Sequence, residues 1–352
     1  MKIVVSTFNN SKNNYGAVFQ SCGLYSFLTK TKHDVFYVTL KNRGKPKQSA
    51  VAKIKELVKK VLLLPHARAF KRRQQKFMQF TKDTQNQIVY STKEELFQNP
   101  PRADVYLAGS DQVWNPVAMH EDLFLAYAPK NSKKISYAAS MGHEHIPECN
   151  KERFTELIKD YSAFSVREDT VVDIIKQFTD KPVYQHIDPI FLKSKEEWQL
   201  LEKPYEKLKF KKFILAYVIE WNAEHNAKLK ELKKKTGLPV VSVNIGNLKK
   251  VCADQIIYDA SPNEFLYLLD RADYVVASSF HGIAMSIVYN KPFLALPGQN
   301  MPTRIQSLMR HFDINMSDSI NYGTEQFKAI NELIVQDRSK AKEYLNQVVD
   351  LK

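Results

Sequence analysis

The strongest constraint on this chain is a rhythm. Short runs of apolar, β-branched and aromatic residues alternate with stretches of helical periodicity from one end to the other. In the first half the runs are KIVVSTF (2–8), VFYVTL (35–40), VYLAGS (105–110), ISYAAS (135–140), FSVRE (164–168) and YQHID (184–188), with helical stretches at 17–29, 151–161 and 170–178. Strands separated by crossover helices pair in parallel, and runs that are apolar on both faces suit a sheet covered on both sides. A second set follows Asp188: FILAYVIE (213–220), PVVSVN (239–244), QIIYDA (255–260), YVVASS (274–279) and PFLAL (292–296), with helices expected at 223–235, 262–270, 283–289 and 301–312. The pattern predicts an α/β protein of two doubly wound, Rossmann-like domains, 1–190 and 191–352, linked near 189–203 and facing each other across a cleft. A length of 352 residues, more than one compact core usually holds, agrees.

Several classes are excluded at this level. No run of eighteen apolar residues exists, and MKIVVSTFNNSKNNYG reads as a strand and a polar loop rather than a leader, so a cytoplasmic protein is expected. Three scattered cysteines, Cys22, Cys149 and Cys252, read as free thiols rather than a disulfide framework. His143 and His145 flank Glu144 without a partner motif, so neither a metal nor a cofactor is expected.

The net charge of +14 is unevenly placed: residues 41–76 carry thirteen Lys or Arg and one acid, Glu56. Val51, Ile54, Val58, Val61, Leu62 and Pro65 share roughly one helical face there, with Lys53, Lys55, Lys59 and Lys60 elsewhere. Two readings stand side by side, an anionic membrane surface contacted by a peripheral protein, and a helix packed on its own domain. Nucleic acid is not expected, because aromatic residues are not interleaved with the basic ones.

In open parallel sheets ligands bind beyond the carboxyl ends of the strands, so the strand-to-helix loops hold the candidates. In "ASSFHGIAMSIVYNKPF" (277–293), His281 and Gly282 sit where a helix is expected to begin. Its unpaired amides, with the Ser278 and Ser279 hydroxyls, suit an anion, and a bound anion would favour the charged imidazole. Arg167 ends the strand in "FSVREDT", placed to present its planar fork to a carboxylate or phosphate, a pairing with Glu168 or Asp169 being the alternative. In "NNYGAVFQSCG" (13–23), Gly16 permits a close turn and the neighbouring amides suit a diphosphate or sugar hydroxyl; a plain strand-to-helix turn remains equally open. In "AGSDQVWNP" (108–116), Asp111 is a candidate base and Trp114 a sugar-stacking ring, or else a turn cap and a core plug.

These segments together resemble the polysaccharide pyruvyl transferase family: "NYGAVFQ", "GSDQVWNP", "FLAYAPKNSKKISYAAS", "SVRED", "HIDPIFL", "ADYVVASSFHGIAMSIVYNKPF" and "TRIQSLM", in that order over nearly the whole chain. The resemblance implies a fold like the two-domain GT-B glycosyltransferases. It also implies transfer of the enolpyruvyl unit of phosphoenolpyruvate to two sugar hydroxyls as a cyclic ketal, with no cofactor. The acceptor would be a sugar or polyprenyl-diphosphate-linked glycan of a surface polysaccharide. The first domain would take the acceptor through Asn14, Tyr15, Gly16, Gln20, Ser110 and Trp114, and the second the donor. By position Arg167 matches the family's donor-binding arginine, and His281 the histidine that protonates the methylene carbon. Ser279 stands where well-studied members have an arginine, so Arg304 or Lys291 is expected to supply that charge, alongside Ser278 and Gly282. Two rival readings are a nucleotide-sugar glycosyltransferase, with Glu325 on the ribose, and a non-catalytic glycan- or anion-binding protein.

Overall fold

The computed structural model describes residues 1–41, 43, 58, 61–219, 221–246, 251–296, 303–316 and 319–350. Seven strands form the first sheet: β1 (Lys2–Ser6), β2 (Asp34–Leu40), β3 (Gln87–Tyr90), β4 (Val105–Ala108), β5 (Lys133–Ser136), β6 (Tyr161–Val166) and β7 (Val183–Gln185), in the order β3-β2-β1-β4-β5-β6-β7. Five form the second: β8 (Ile214–Tyr217), β9 (Val240–Val243), β10 (Gln255–Ile257), β11 (Tyr274–Ala277) and β12 (Phe293–Ala295), in the order β10-β9-β8-β11-β12. All pairings in both sheets are parallel. Two Rossmann-like sheets are therefore present, as the rhythm predicts. The apolar runs do not announce β3, a four-residue edge strand whose Gln87 and Ile88 are half-buried and whose Val89 is exposed.

Among the described residues the helices of eight or more residues are α1 (Tyr15–Lys30), α2 (Ala67–Thr84), α4 (Lys151–Ile158), α7 (Ala223–Thr236), α8 (Pro262–Arg271), α9 (Phe280–Val288), α10 (Thr303–His311) and α11 (Thr324–Asp350); α3 (Lys93–Gln98), α5 (Asp169–Ile175) and α6 (Lys195–Gln199) are shorter. Polar residues start several of them: Asn14 accepts from the Ala17 amide at α1, and Ser261 and Glu264 form a reciprocal capping box at α8.

The two lobes share apolar core. Tyr15 of α1 stacks on Phe265 of α8 with ring centroids 4.4 Å apart, and Phe19 meets Trp198 edge-on at 5.6 Å. Helix α2 adds charge to this junction: Arg72 pairs with Asp259 at 2.8 Å, Arg73 donates to the Asn244 carbonyl at 2.7 Å, and Lys76 reaches Glu264 at 2.8 Å. Part of the basic run thus joins the lobes. The apolar residues described at its other end stay in solvent, with Val58, Val61, Leu62 and Leu64 each at least half exposed. Residues 42, 44–57 and 59–60, which include Val51 and Ile54 of the expected apolar face and all of Lys53, Lys55, Lys59 and Lys60, lie outside the described residues.

Helix α11 returns to the first sheet, although its residues belong to the stretch expected as the second domain. Tyr344 donates to the Ser136 carbonyl at 2.9 Å, and Arg338 donates to the carbonyls of Phe191 and Lys193. Among the described residues no helix is long and apolar enough to cross a membrane.

Candidate active site

Strand order reverses between β1 and β4 in one sheet and between β8 and β11 in the other, and such reversals leave a crevice at the carboxyl ends. The two crevices face each other and merge into a cavity of about 720 Å³. The first lobe contributes Phe8, Asn14 and Gly16 after β1, and Asp111 and Gln112 after β4. The second contributes Trp221 and His225 after β8, Ser278, Ser279 and His281 after β11, and Arg304 from the first turn of α10.

His281 lies within the first turn of its helix, which starts two residues earlier than the expected start near Gly282. Helix α9 starts at Phe280, and Ser279 is its N-cap, accepting from the Gly282 amide at 3.0 Å. The Gly282 amide is therefore occupied, and its missing side chain serves packing, since a Cβ there would lie 3.0 Å from Ala277 Cβ and 3.1 Å from the Tyr217 ring. Gly282, expected at the anion site, therefore serves the helix start and its packing rather than offering a free amide to a ligand. Ser278 accepts from the Ile219 amide at 2.9 Å, tying the loops after β8 and β11 together at the cavity wall.

Behind His281 is Asp188, from the "HIDPIFL" segment. Its Oδ2 is 3.4 Å from His281 Nε2, 2.6 Å from Arg167 Nη1 and 3.1 Å from Ser110 Oγ, while its Oδ1 accepts from the Ile190 amide. Burial alone would raise this carboxyl, but the His281 ring, Arg167 and the Ile190 amide outweigh it and hold it well below the ordinary carboxylate range. The Asp188 carboxylate thus faces the ring of His281 from the side of the interlobe link. The ring itself is seated by Gly16: a Cβ at Gly16 would stand 2.2 Å from His281 Nδ1. Gly16 lies inside α1 rather than in a turn, so its role is to make room for a ring from the other lobe.

Arg167 is buried and does not line the large cavity. Its Nε donates to Glu168 at 3.1 Å, its Nη1 to Asp188, and its guanidinium lies 4.2 Å from the Phe280 ring centre. The pairing with Glu168 that the sequence reading set second is present, and Nη2 alone lacks a partner. Arg167 borders a smaller cavity of about 30 Å³ with Arg304 and Asp188. Arg304 is the more open cation: its Nε has no partner, and its Nη1 is 3.8 Å from Asp111 Oδ1, too long for a hydrogen bond. Lys291 bonds the Asp270 carbonyl instead and lines no part of the cavity.

Asp111 occupies the left-handed backbone region with φ +70, a conformation Asp tolerates better than most residues and one that recurs at functional sites. Its carboxylate accepts from the Gln112 amide at 2.9 Å and faces the cavity.

Four expected acceptor residues are structural. Trp114 is fully buried between Phe124, Tyr161 and Phe164, so it plugs the core. Tyr15 is buried at the lobe junction and donates to the Ala260 carbonyl at 2.8 Å. Gln20 is buried and donates to Thr7 and to the Phe8 carbonyl, bracing the loop after β1, while Ser110 holds Asp188. Glu325 is exposed in the first turn of α11 and does not line the cavity. Conversely, Asp188, Trp221 and His225 went unrecognised as site residues; the polar cluster "EWNAEH" directly after an apolar run was the available signal for the last two.

The fold and this interlobe cleft define a GT-B-like protein of two Rossmann-like lobes. Solved structures with that architecture include UDP-GlcNAc 2-epimerase from Neisseria meningitidis bound to UDP-GlcNAc (TM-score 0.51, 13% identity, 99% of this chain and 100% of that one). A putative UDP-N-acetylglucosamine 2-epimerase from Listeria monocytogenes is similar at TM-score 0.51 and 10% identity, over 98% of this chain and 94% of that one. At such identities the likeness is one of fold. No curated protein sequence matches the chain. The family model for polysaccharide pyruvyl transferase matches residues 14–300, and the chain belongs to that family of enzymes.

Proposed function

We propose that this pyruvyl transferase takes its group from phosphoenolpyruvate and delivers it to two hydroxyls of a sugar in a lipid-linked surface-polysaccharide precursor, with no cofactor. The observation that carries the reading is the Asp188–His281 pair, an imidazole at a helix N-terminus with an ionised carboxylate behind it, opening on a cavity shared by both lobes. His281 donates a proton to C3 of the enol, making C2 electrophilic. One sugar hydroxyl adds to C2 and gives its proton to Asp111. The C2–O bond to phosphate then breaks, and the second hydroxyl closes the ketal, its proton leaving with inorganic phosphate. Arg304, with an unpartnered Nε, takes the donor phosphate. The Phe280 and His281 amides and the Ser279 hydroxyl take the carboxylate, and Arg167 keeps Asp188 charged and in place.

A cavity of about 720 Å³ is the size that encloses drug-like ligands, far more than a three-carbon phosphate fills, so the same cavity takes the acceptor sugar. Asn14, Gln112, Trp221 and His225 are its polar and aromatic walls. Titration calorimetry with phosphoenolpyruvate, UDP-sugars and GDP-sugars tests the donor: phosphoenolpyruvate should bind and Arg304→Ala should weaken it, whereas binding of a nucleotide sugar alone would replace the reading.

The lipid link is supported by the exposed Val58, Val61, Leu62 and Leu64 beside the basic run, a combination suited to a peripheral contact with an anionic bilayer. Flotation with phosphatidylglycerol vesicles should be lost when Lys53, Lys55, Lys59 and Lys60 are all changed to Glu. Undiminished flotation would remove the membrane from the account.

A further inference from the structure

A second cavity of about 660 Å³ lies on the first lobe, between α2, the carboxyl end of β2 and the segment that enters β3. Its chemistry is unlike that of the active site. Six amide side chains line it, those of Asn10, Gln75, Gln79, Gln85, Asn86 and Gln87, together with Lys41 and Lys82, and no carboxylate does among the described residues. Amides donate and accept together, as sugar hydroxyls do, so such a wall matches a polyhydroxyl ligand, and the two lysines add donors for its hydroxyls or for an acidic substituent. Met78 and Val89, both about half exposed, add apolar surface of the kind that receives the C–H face of a sugar ring.

Gln85 separates this cavity from an ordinary polar surface. The residue is 5% exposed, and neither its Oε1 nor its Nε2 has a partner. Buried amides without partners are disfavoured in a folded protein, and one on a cavity wall marks a place where a ligand completes the bonding. Its neighbour is already oriented: Asn9 donates to Thr39, and Thr39 donates to Gln87 Oε1 at 3.0 Å, which leaves the Gln87 NH₂ for another acceptor. Phe8 lines the active-site cavity and Asn10 this one, so the two are joined by a loop whose ends lie at most about 7 Å apart.

We infer that this groove is a subsite for a further sugar unit of the acceptor glycan, so that the enzyme selects an oligosaccharide rather than a single sugar. The inference rests on the pyruvyl-transfer reading for the word acceptor; the groove's affinity for sugar does not. The full-length protein is applied to an array printed with bacterial surface oligosaccharides, and phosphoenolpyruvate binding is followed separately by calorimetry. Wild type is expected to bind a set of the printed glycans, and Gln75→Ala/Gln79→Ala, both exposed positions, to weaken that binding by about tenfold. Gln85→Leu should abolish it while raising Tm by about 2 °C, because two unpaired buried polar atoms are removed. Phosphoenolpyruvate affinity should stay within twofold in all these variants. No binding to any printed glycan, binding indifferent to the groove variants, or a lower Tm for Gln85→Leu would each overturn the subsite. Failure of phosphoenolpyruvate alone to bind would instead overturn the donor assignment and leave the groove standing.

Discussion

Changing Gly16 to Ala tests the active-site geometry through a residue that has no chemistry of its own. The added Cβ would meet His281 Nδ1 at 2.2 Å, Cγ at 2.4 Å and Cβ at 2.7 Å. Ordinary contact needs about 3.5 Å, so the ring must retreat by roughly 1.3 Å. The Nε2 atom starts 3.4 Å from Asp188 Oδ2, so a displacement of that size uncouples the pair or tilts it away from the cavity. A misplacement of about 1 Å at a reacting group costs about 10²-fold in rate, and that loss is expected in kcat. Stability should fall by no more than about 2.5 kcal/mol, because Ala in place of Gly within a helix contributes roughly 0.5–1 kcal/mol and the crowding opposes it by about 1–3 kcal/mol. The assay is phosphate release from phosphoenolpyruvate in the presence of lipid-linked glycans extracted from the source cells, with a thermal melt alongside. Full activity at unchanged Tm would show that the His281 ring has freedom the structure does not give it, and the assignment of His281 as proton donor would lose its geometric basis.

Asp188→Asn keeps the side-chain shape but removes the charge facing His281, and kcat should fall by about 10²–10⁴-fold with a shifted pH–rate profile; an unaltered profile would make Asp188 structural only. Arg304→Lys should retain more phosphoenolpyruvate affinity than Arg304→Ala, about tenfold separating them, and equal affinities would place the phosphate elsewhere. Burial, then the neighbouring Asp270, pushes the Glu202 carboxyl up from 4.5 to about 7, so the native state holds this proton more tightly than the unfolded chain and stability falls as pH rises through that window. After allowance for the solvent that still reaches the group, about 1 kcal/mol should be lost between pH 5 and pH 8 in urea titrations, and Glu202→Gln should abolish this component of the slope.

What the sequence made legible follows from the range of the interactions involved. Strand-and-helix alternation and the strand-end position of a loop are local properties, so both sheets and the placing of Asp111 and His281 at the cavity could be read from single segments. Roles decided by a distant partner could not. Gly16 reads as a turn glycine until the fold brings His281 against it from 265 positions away (281 − 16). Trp114 and Tyr15 look like ligand-facing rings because aromatic residues beside polar loops are equally suited to core and cleft, and only the packing of Tyr161 and Phe265 against them decides. Arg167 was expected to meet the donor because neighbouring side chains on an extended strand point apart. The strand ends at Val166, and Glu168, beyond it at the N-cap position of α5, turns back to reach the guanidinium. Asp188 was invisible for a related reason. Its "DP" setting announces the cap of a short helical turn, which it forms through Ile190, while its other oxygen faces Arg167, Ser110 and His281. One carboxylate thus fixes the start of the interlobe link and the charge behind the proposed acid, so movement of one lobe against the other moves His281 relative to Asp188.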